Sequence, residues 1–164
     1  MSRNISLFAL AIVVGATVIF IVAHGMQATA GSWEESNAVA ALFEPVLRRL
    51  FNFASKIAAW SGHSMPMGYE EFVRKVAHFV EYSVLGAECV GLTVILARRI
   101  VSPYLWADLF AVLMLAVLDE FLQAFAGRTS QVSDVMLDFF GALCGIATVL
   151  IALAIWNRVQ QRAA

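Results

Sequence analysis

Apolar positions in this chain cluster into long runs, and the polar residues that interrupt them are confined to a few places. Residues 5–23, ISLFALAIVVGATVIFIVA, carry no charge. At about 1.5 Å per helical residue this stretch crosses a ~30 Å hydrocarbon core, so a first transmembrane helix is expected over 5–24. A cleaved signal peptide is the rival reading, because Ala28-Thr29-Ala30 before Gly31 resembles a small-residue cleavage site. The uncharged stretch outlasts the roughly 7–15-residue apolar region of such peptides, which favours a retained anchor. Residues 25–37 read as a polar connection.

The segment 45–60, PVLRRLFNFASKIAAW, has a different period. Val46, Leu47, Leu50, Ala54 and Ile57 fall on one helical face, with Arg48, Arg49, Asn52, Ser55 and Lys56 largely on the other. Pro45 suits the first turn. The segment is too polar for a lone span. It predicts an amphipathic helix lying in the membrane interface, or packed over the spanning bundle. Residues 61–68 then read as a loop.

Further spans are expected over roughly 75–97, 105–125 and 134–156. The short connections at 98–103 and 126–133 make these three sequential, antiparallel neighbours. The expected fold is an all-α integral membrane helical bundle: about four transmembrane helices plus one interfacial amphipathic helix, as one membrane domain over 1–164.

Composition agrees with that pattern. The chain is 61% hydrophobic with a mean hydropathy of +0.79, whereas soluble domains are roughly half apolar. A net charge of −1 supplies no basic field, so nucleic acid is excluded as a partner. Cys89 and Cys144 lie in apolar runs without metal-ligand or CxxC spacing, and read as small core residues. Arg3, Arg98, Arg99, Arg158 and Arg162 mark one membrane face, which puts both termini in the cytoplasm. Arg48, Arg49, Lys56, Arg74 and Lys75 oppose this, but they belong to a connection of about 50 residues, near the length at which the rule weakens.

The polar residues inside the spans converge on the opposite face. Lys75, His78 and Glu81 occupy the first turns of the second span. Asp119, Glu120 and Gln123 end the third, and Asp134 and Asp138 begin the fourth. Antiparallel order brings these three ends to one level. His78, Glu81, Tyr82, Leu85 and Glu88 share one stripe, as do Asp119 and Gln123. On the fourth span Gly141 and Gly145 would let a neighbouring helix approach the carboxylates closely. Charges at this depth cost about 2.5–3.5 kcal/mol each on insertion scales, so Lys75 and Arg128 are expected as counter-charges. Arg128 can hold a carboxylate or a phosphate by two bonds. His78 beside Glu81 suits proton transfer near neutral pH. Glu88, deeper in the span, reads as hydrogen-bonded to the bundle or as a relay member. The His-x-x-Glu spacing of His78 and Glu81 suits metal ligands only weakly, so no metal and no cofactor is assigned. No nucleophile elbow, phosphate-binding loop, HExxH or nucleotide fingerprint is present.

The ordered set Lys75, His78, Tyr82, then Asp119-Glu120 with Gln123, then Gly127-Arg128, Asp134 and Gly141 resembles the VanZ-like family. That family's pattern is K-x-x-H-x-x-x-Y, D-E-x-x-Q, G-R and D-x-x-x-N-x-x-G. The resemblance covers about residues 70–150, and implies a VanZ-like core of three transmembrane helices over 70–156. Asp138 stands where the pattern has Asn, which adds a negative charge. The family is named for a protein of resistance to teicoplanin-type glycopeptide antibiotics. The resemblance implies a multi-pass protein of the bacterial cytoplasmic (inner) membrane. Membrane lipids and an amphipathic anionic or lipid-linked ligand, including a lipid-like antibiotic, are its expected partners.

Three functions fit the residues. In the first, the protein binds and modifies an envelope molecule at the outer leaflet. His78, Glu81, Asp119 and Glu120 are then the candidate catalytic groups, and Lys75, Tyr82, Gln123, Arg128, Asp134 and Asp138 hold the ligand. In the second, a proton-coupled carrier uses Glu81, Glu88 and Asp119 as a relay. Four spans are few for a carrier, so this reading implies a homo-oligomer. In the third, the charges only pair with one another in a non-catalytic assembly factor.

Overall fold

The computed structural model describes residues 3–25, 29–97, 102–125, 127 and 130–163. Among these are five helices and no strand: α1 (Arg3–Gly25), α2 (Thr29–Trp60), α3 (Tyr69–Ala97), α4 (Ser102–Phe125) and α5 (Val132–Ala163). The helices outrun the expected spans. α3 begins at Tyr69, where Glu70 and Glu71 place negative charge on the positive end of the helix dipole. α5 continues past the apolar residues to Ala163, carrying Arg158 and Arg162 beyond the length a bilayer core needs. α4 stops at Phe125. There Gly127 takes φ +76 and its N–H bonds the Ala124 carbonyl at 3.3 Å.

α2 departs most from expectation. The polar connection over 25–37 and a helix start at Pro45 were predicted, yet α2 runs from Thr29 through Pro45 without a break. Glu34, Glu35 and the alanines at 38, 40 and 41 are good helix formers. A proline inside a helix costs about 3 kcal/mol, and the helix nevertheless continues on both sides of Pro45.

The chain divides into two compact units, one made of Met1–Met26 with His78–Ala164, the other of Gln27–Ala77. In the second unit, the Phe51 ring meets Tyr69 and Phe72 edge-on at 5.5 and 5.4 Å. The Arg48 guanidinium lies 4.7 Å above the Tyr69 ring and 2.7 Å from Glu44. Leu47 is buried there, whereas Val46, Leu50, Phe53 and Ile57 remain exposed. The predicted apolar stripe is thus split, and most of it faces outward.

In the first unit, α1, α3 from His78 onward, α4 and α5 build one core from Ile21, Tyr82, Leu85, Val112, Ala116 and Ala142. Polar contacts fix the helix directions. Thr17 and His24 of α1 meet Glu88 and Glu81 of α3, late with early, so these two helices are antiparallel. Thr93 of α3 meets Asp108 of α4 in the same sense. α3 and α5 run alongside each other through glycines. A Cβ on Gly141 would fall 2.5 Å from the Phe79 carbonyl oxygen; one on Gly145 would overlap Ser83 O, and one on Gly86 would overlap Ala142 O. Ser83 Oγ donates across this seam to Gly141 O at 2.9 Å. The close approach expected of Gly141 and Gly145 is therefore present.

Outward faces of this unit are apolar. Phe8, Ile19, Phe20, Phe110, Phe121, Phe140 and Ile151 are each more than half exposed. His78, Asp119, Glu120, Gln123 and Asp138 are buried. This inversion of the water-soluble pattern suits a lipid surround. By length and composition α1, α3 and α5 are able to cross a membrane. α4 is long enough as well, and carries three carboxylates, Asp108, Asp119 and Glu120.

Candidate functional site

Each polar side chain reaches the core from an early or late helical turn. On α3, His78 and Tyr82 are one turn apart and point inward. On α4, Asp119 and Gln123 are also one turn apart, and the Gln123 amide donates to Asp119 Oδ2 at 3.1 Å. On α5, Asp138 lies one turn before the Gly141–Gly145 seam and is 2% exposed. The close α3–α5 packing made by those glycines brings Asp138 up to His78. His78 Nδ1 is 3.9 Å from Asp119 Oδ2 and 4.0 Å from Asp138 Oδ1. Three helices thus deliver one imidazole and two carboxylates to a single point. These three side chains each offer one ligand atom, all within 4.8 Å of one another.

Two further groups flank this centre. His24, from the last turn of α1, stacks on His78 with ring centroids 6.1 Å apart. Its Nδ1 lies 3.3 Å from Glu81 Oε1. Glu120 is buried, and its Oε1 accepts the Gln131 backbone N–H at 2.6 Å, which ties the end of α4 to the entry of α5. Two acidic groups in apolar surroundings thereby gain a partner whose loss would cost several kcal/mol.

The structure brings His78, Asp119, Gln123 and Asp138 together, with Tyr82 fully buried on the same helix face. Glu81 lies against His24 of α1. Asp134 occupies the first turn of α5, half-buried, with Ser133 Oγ 3.4 Å from its carboxylate. Lys75 belongs to the second unit, where its ammonium lies 3.9 Å from Glu71. Arg128 lies outside the described residues. The deeper acids have other neighbours: Glu88 accepts from Thr17 Oγ1, and Asp108 from Thr93 Oγ1, both at 3.1 Å.

His24 escaped the sequence reading. The signal was a histidine closing an otherwise uncharged apolar run, at the end that antiparallel order sets level with the start of α3.

A family model described as VanZ/LLP1 matches residues 7–154. The match therefore takes in α1 as well as the three later helices that carry the motif residues. No curated protein and no solved structure matches the chain.

Proposed function

The chain belongs to the VanZ/LLP1 family, and from that premise we propose that it binds an amphipathic envelope molecule at a polar site near the outer leaflet of the bacterial inner membrane. α1, α3, α4 and α5 are its four spans. α4 counts as the fourth because it packs against both α1 and α5 while exposing Trp106, Phe110, Val117 and Phe121 outward. His24, in the last turn of α1, is in contact with Glu81 of α3. In this reading the amphipathic segment 45–60 lies in the membrane interface, with Val46, Leu50, Phe53 and Ile57 in contact with lipid.

One observation carries the proposal. The buried His78–Asp119–Asp138 group lies inside a bundle whose exterior is apolar. Such groups inside a membrane are expensive, and function is the usual reason that they persist. His78 and Asp119 transfer or hold a proton on the ligand; Glu81 acts through His24, and Glu120 braces the end of α4. Arg128, Asp134, Tyr82 and Gln123 orient a phosphate-bearing or otherwise anionic head group. The ligand is a lipid-linked precursor or a lipid-like antibiotic.

The test is the lipid complement that copurifies with the protein in mild detergent, read by mass spectrometry. The wild type is expected to retain an anionic or polyprenyl-linked lipid that Asp119→Asn releases, at equal protein yield. An identical lipid complement in the two proteins would overturn the reading.

A second reading, the proton-coupled carrier, draws on the α1–α3 seam. Glu81 and Glu88 sit there at two depths, against His24 and Thr17. Proton uptake into liposomes that Glu88→Gln abolishes would favour it.

A further inference from the structure

We propose that His78, Asp119 and Asp138 form a binding site for one divalent first-row transition cation, of the zinc or manganese class. His78 Nδ1 lies 3.9 and 4.0 Å from the nearest oxygens of the two carboxylates. These separations are too long for hydrogen bonds, which span about 2.7–3.2 Å. They match two ligands flanking one cation at roughly 2.0–2.2 Å each, at an obtuse angle. An inward movement of both carboxylates would give tetrahedral spacing.

Asp138 supplies the independent observation. It is 2% exposed, and its Oδ1, the oxygen facing His78, has no hydrogen-bond partner. A carboxylate oxygen so deeply buried needs a partner. A divalent ion cancels the two carboxylate charges and leaves the centre neutral, as an apolar surround requires. The other acids of this unit have separate hydrogen-bond or ion-pair neighbours: His24 for Glu81, Thr17 for Glu88, Thr93 for Asp108, the Gln131 N–H for Glu120 and Ser133 for Asp134. The Gln123 amide already orients Asp119 from behind, as partners of metal ligands do.

Donor chemistry narrows the ion. One imidazole with two carboxylates suits zinc, manganese or ferrous iron better than calcium or magnesium, which prefer all-oxygen sites. Three protein ligands leave at least one position open to water or to an anionic head group. Asp138 makes this set more acidic than the family pattern, which carries Asn there. The metal site uses the same three residues as the envelope-ligand reading, but its test uses the metal alone, so the failure of one is distinguishable from the failure of the other.

The experiment is equilibrium metal binding to the full chain in detergent, after chelator treatment, with ZnCl2 and MnCl2 as probes and CaCl2 as comparison. The expected result is one equivalent of zinc or manganese, with a rise in melting temperature on loading. Asp138→Asn is expected to fold, because it restores the family residue. It should weaken binding by more than the roughly 10–100-fold that follows loss of a partner behind a ligand. Asp108→Asn, at the other end of α4, should bind as the wild type does. Absorption spectroscopy at the metal edge should show nitrogen and oxygen neighbours including one imidazole.

Several outcomes would overturn the assignment. They are a monodisperse wild type that takes up neither ion, undiminished binding by folded Asp138→Asn, sulfur neighbours from Cys89 or Cys144, or a preference for calcium. Should Asp138→Asn not fold, the wild-type melting shift decides: no shift with either ion sinks the site.

Discussion

His78 and Asp119 are the residues on which a functional role and a structural one diverge. Both are buried, and both reach the same point from different helices. If they act on a bound molecule, His78→Ala and Asp119→Asn abolish ligand retention while the protein inserts and accumulates as the wild type does. A structural role would instead lower folded yield in step with any loss of binding. Size-exclusion profiles and ligand content from the same preparations separate the two. Ser83→Ala removes the hydroxyl that bridges Phe79 O and Gly141 O. Hydrogen bonds between membrane helices are worth about 0.6 kcal/mol on average, so that variant should melt only slightly lower. A large drop would show that Ser83 does more than tie α3 to α5. His78, Asp119 and Asp138 were each legible as site candidates from depth and stripe alone. The pairing of Glu81 with His24 was not, because α1 and α3 are far apart in sequence and only their packing makes them neighbours.

The seam between α3 and α5 is where one added methyl group decides the packing of an element. Gly145→Ala forces its Cβ onto the Ser83 carbonyl, and overpacking of this kind costs about 1–3 kcal/mol. The variant should melt several degrees lower and lose Asp138 from the His78 centre, and with it any metal uptake. Gly15→Ala meets nothing within 4 Å. It should be neutral or stabilising, by up to about 1 kcal/mol, because Ala is the better helix former. Equal melting of the two variants would show that the α3–α5 contact is not tight. α2 offers a second test at this scale. Phe53 is exposed on the outward face beside Val46, Leu50 and Ile57. A nitroxide at Phe53→Cys, in a background lacking Cys89 and Cys144, should report a depth near the phosphate level. A depth at the bilayer centre would rule out the interfacial placement. The period of this face was visible in the sequence, but the start of its helix was not. The helix runs through Pro45, a residue that, read alone, marks a beginning.

Across the whole molecule the charge pattern predicts one orientation in the membrane. With Arg98, Arg99, Arg158 and Arg162 on the cytoplasmic side, Thr129→Cys should react with a membrane-impermeant maleimide from outside intact cells, and Ala163→Cys only after permeabilisation. Labelling of position 129 solely from the cytoplasm would invert the topology and move the proposed site to the inner leaflet. By itself the sequence determined the all-helical class, the apolar runs able to cross a membrane, the family, and the level at which polar groups gather. These follow from hydrophobic period, helical rise and chain order, which are local quantities. Only the tertiary structure decided which groups at that level touch. Packing through Gly86, Gly141 and Gly145 draws α5 against α3 and sets Asp138 opposite His78, while α1 brings His24 to claim Glu81. Helical rise gives depth along one axis, whereas contact also depends on each helix's rotation and distance from its neighbours. Those are fixed by side chains distant in sequence that must share one close-packed interior.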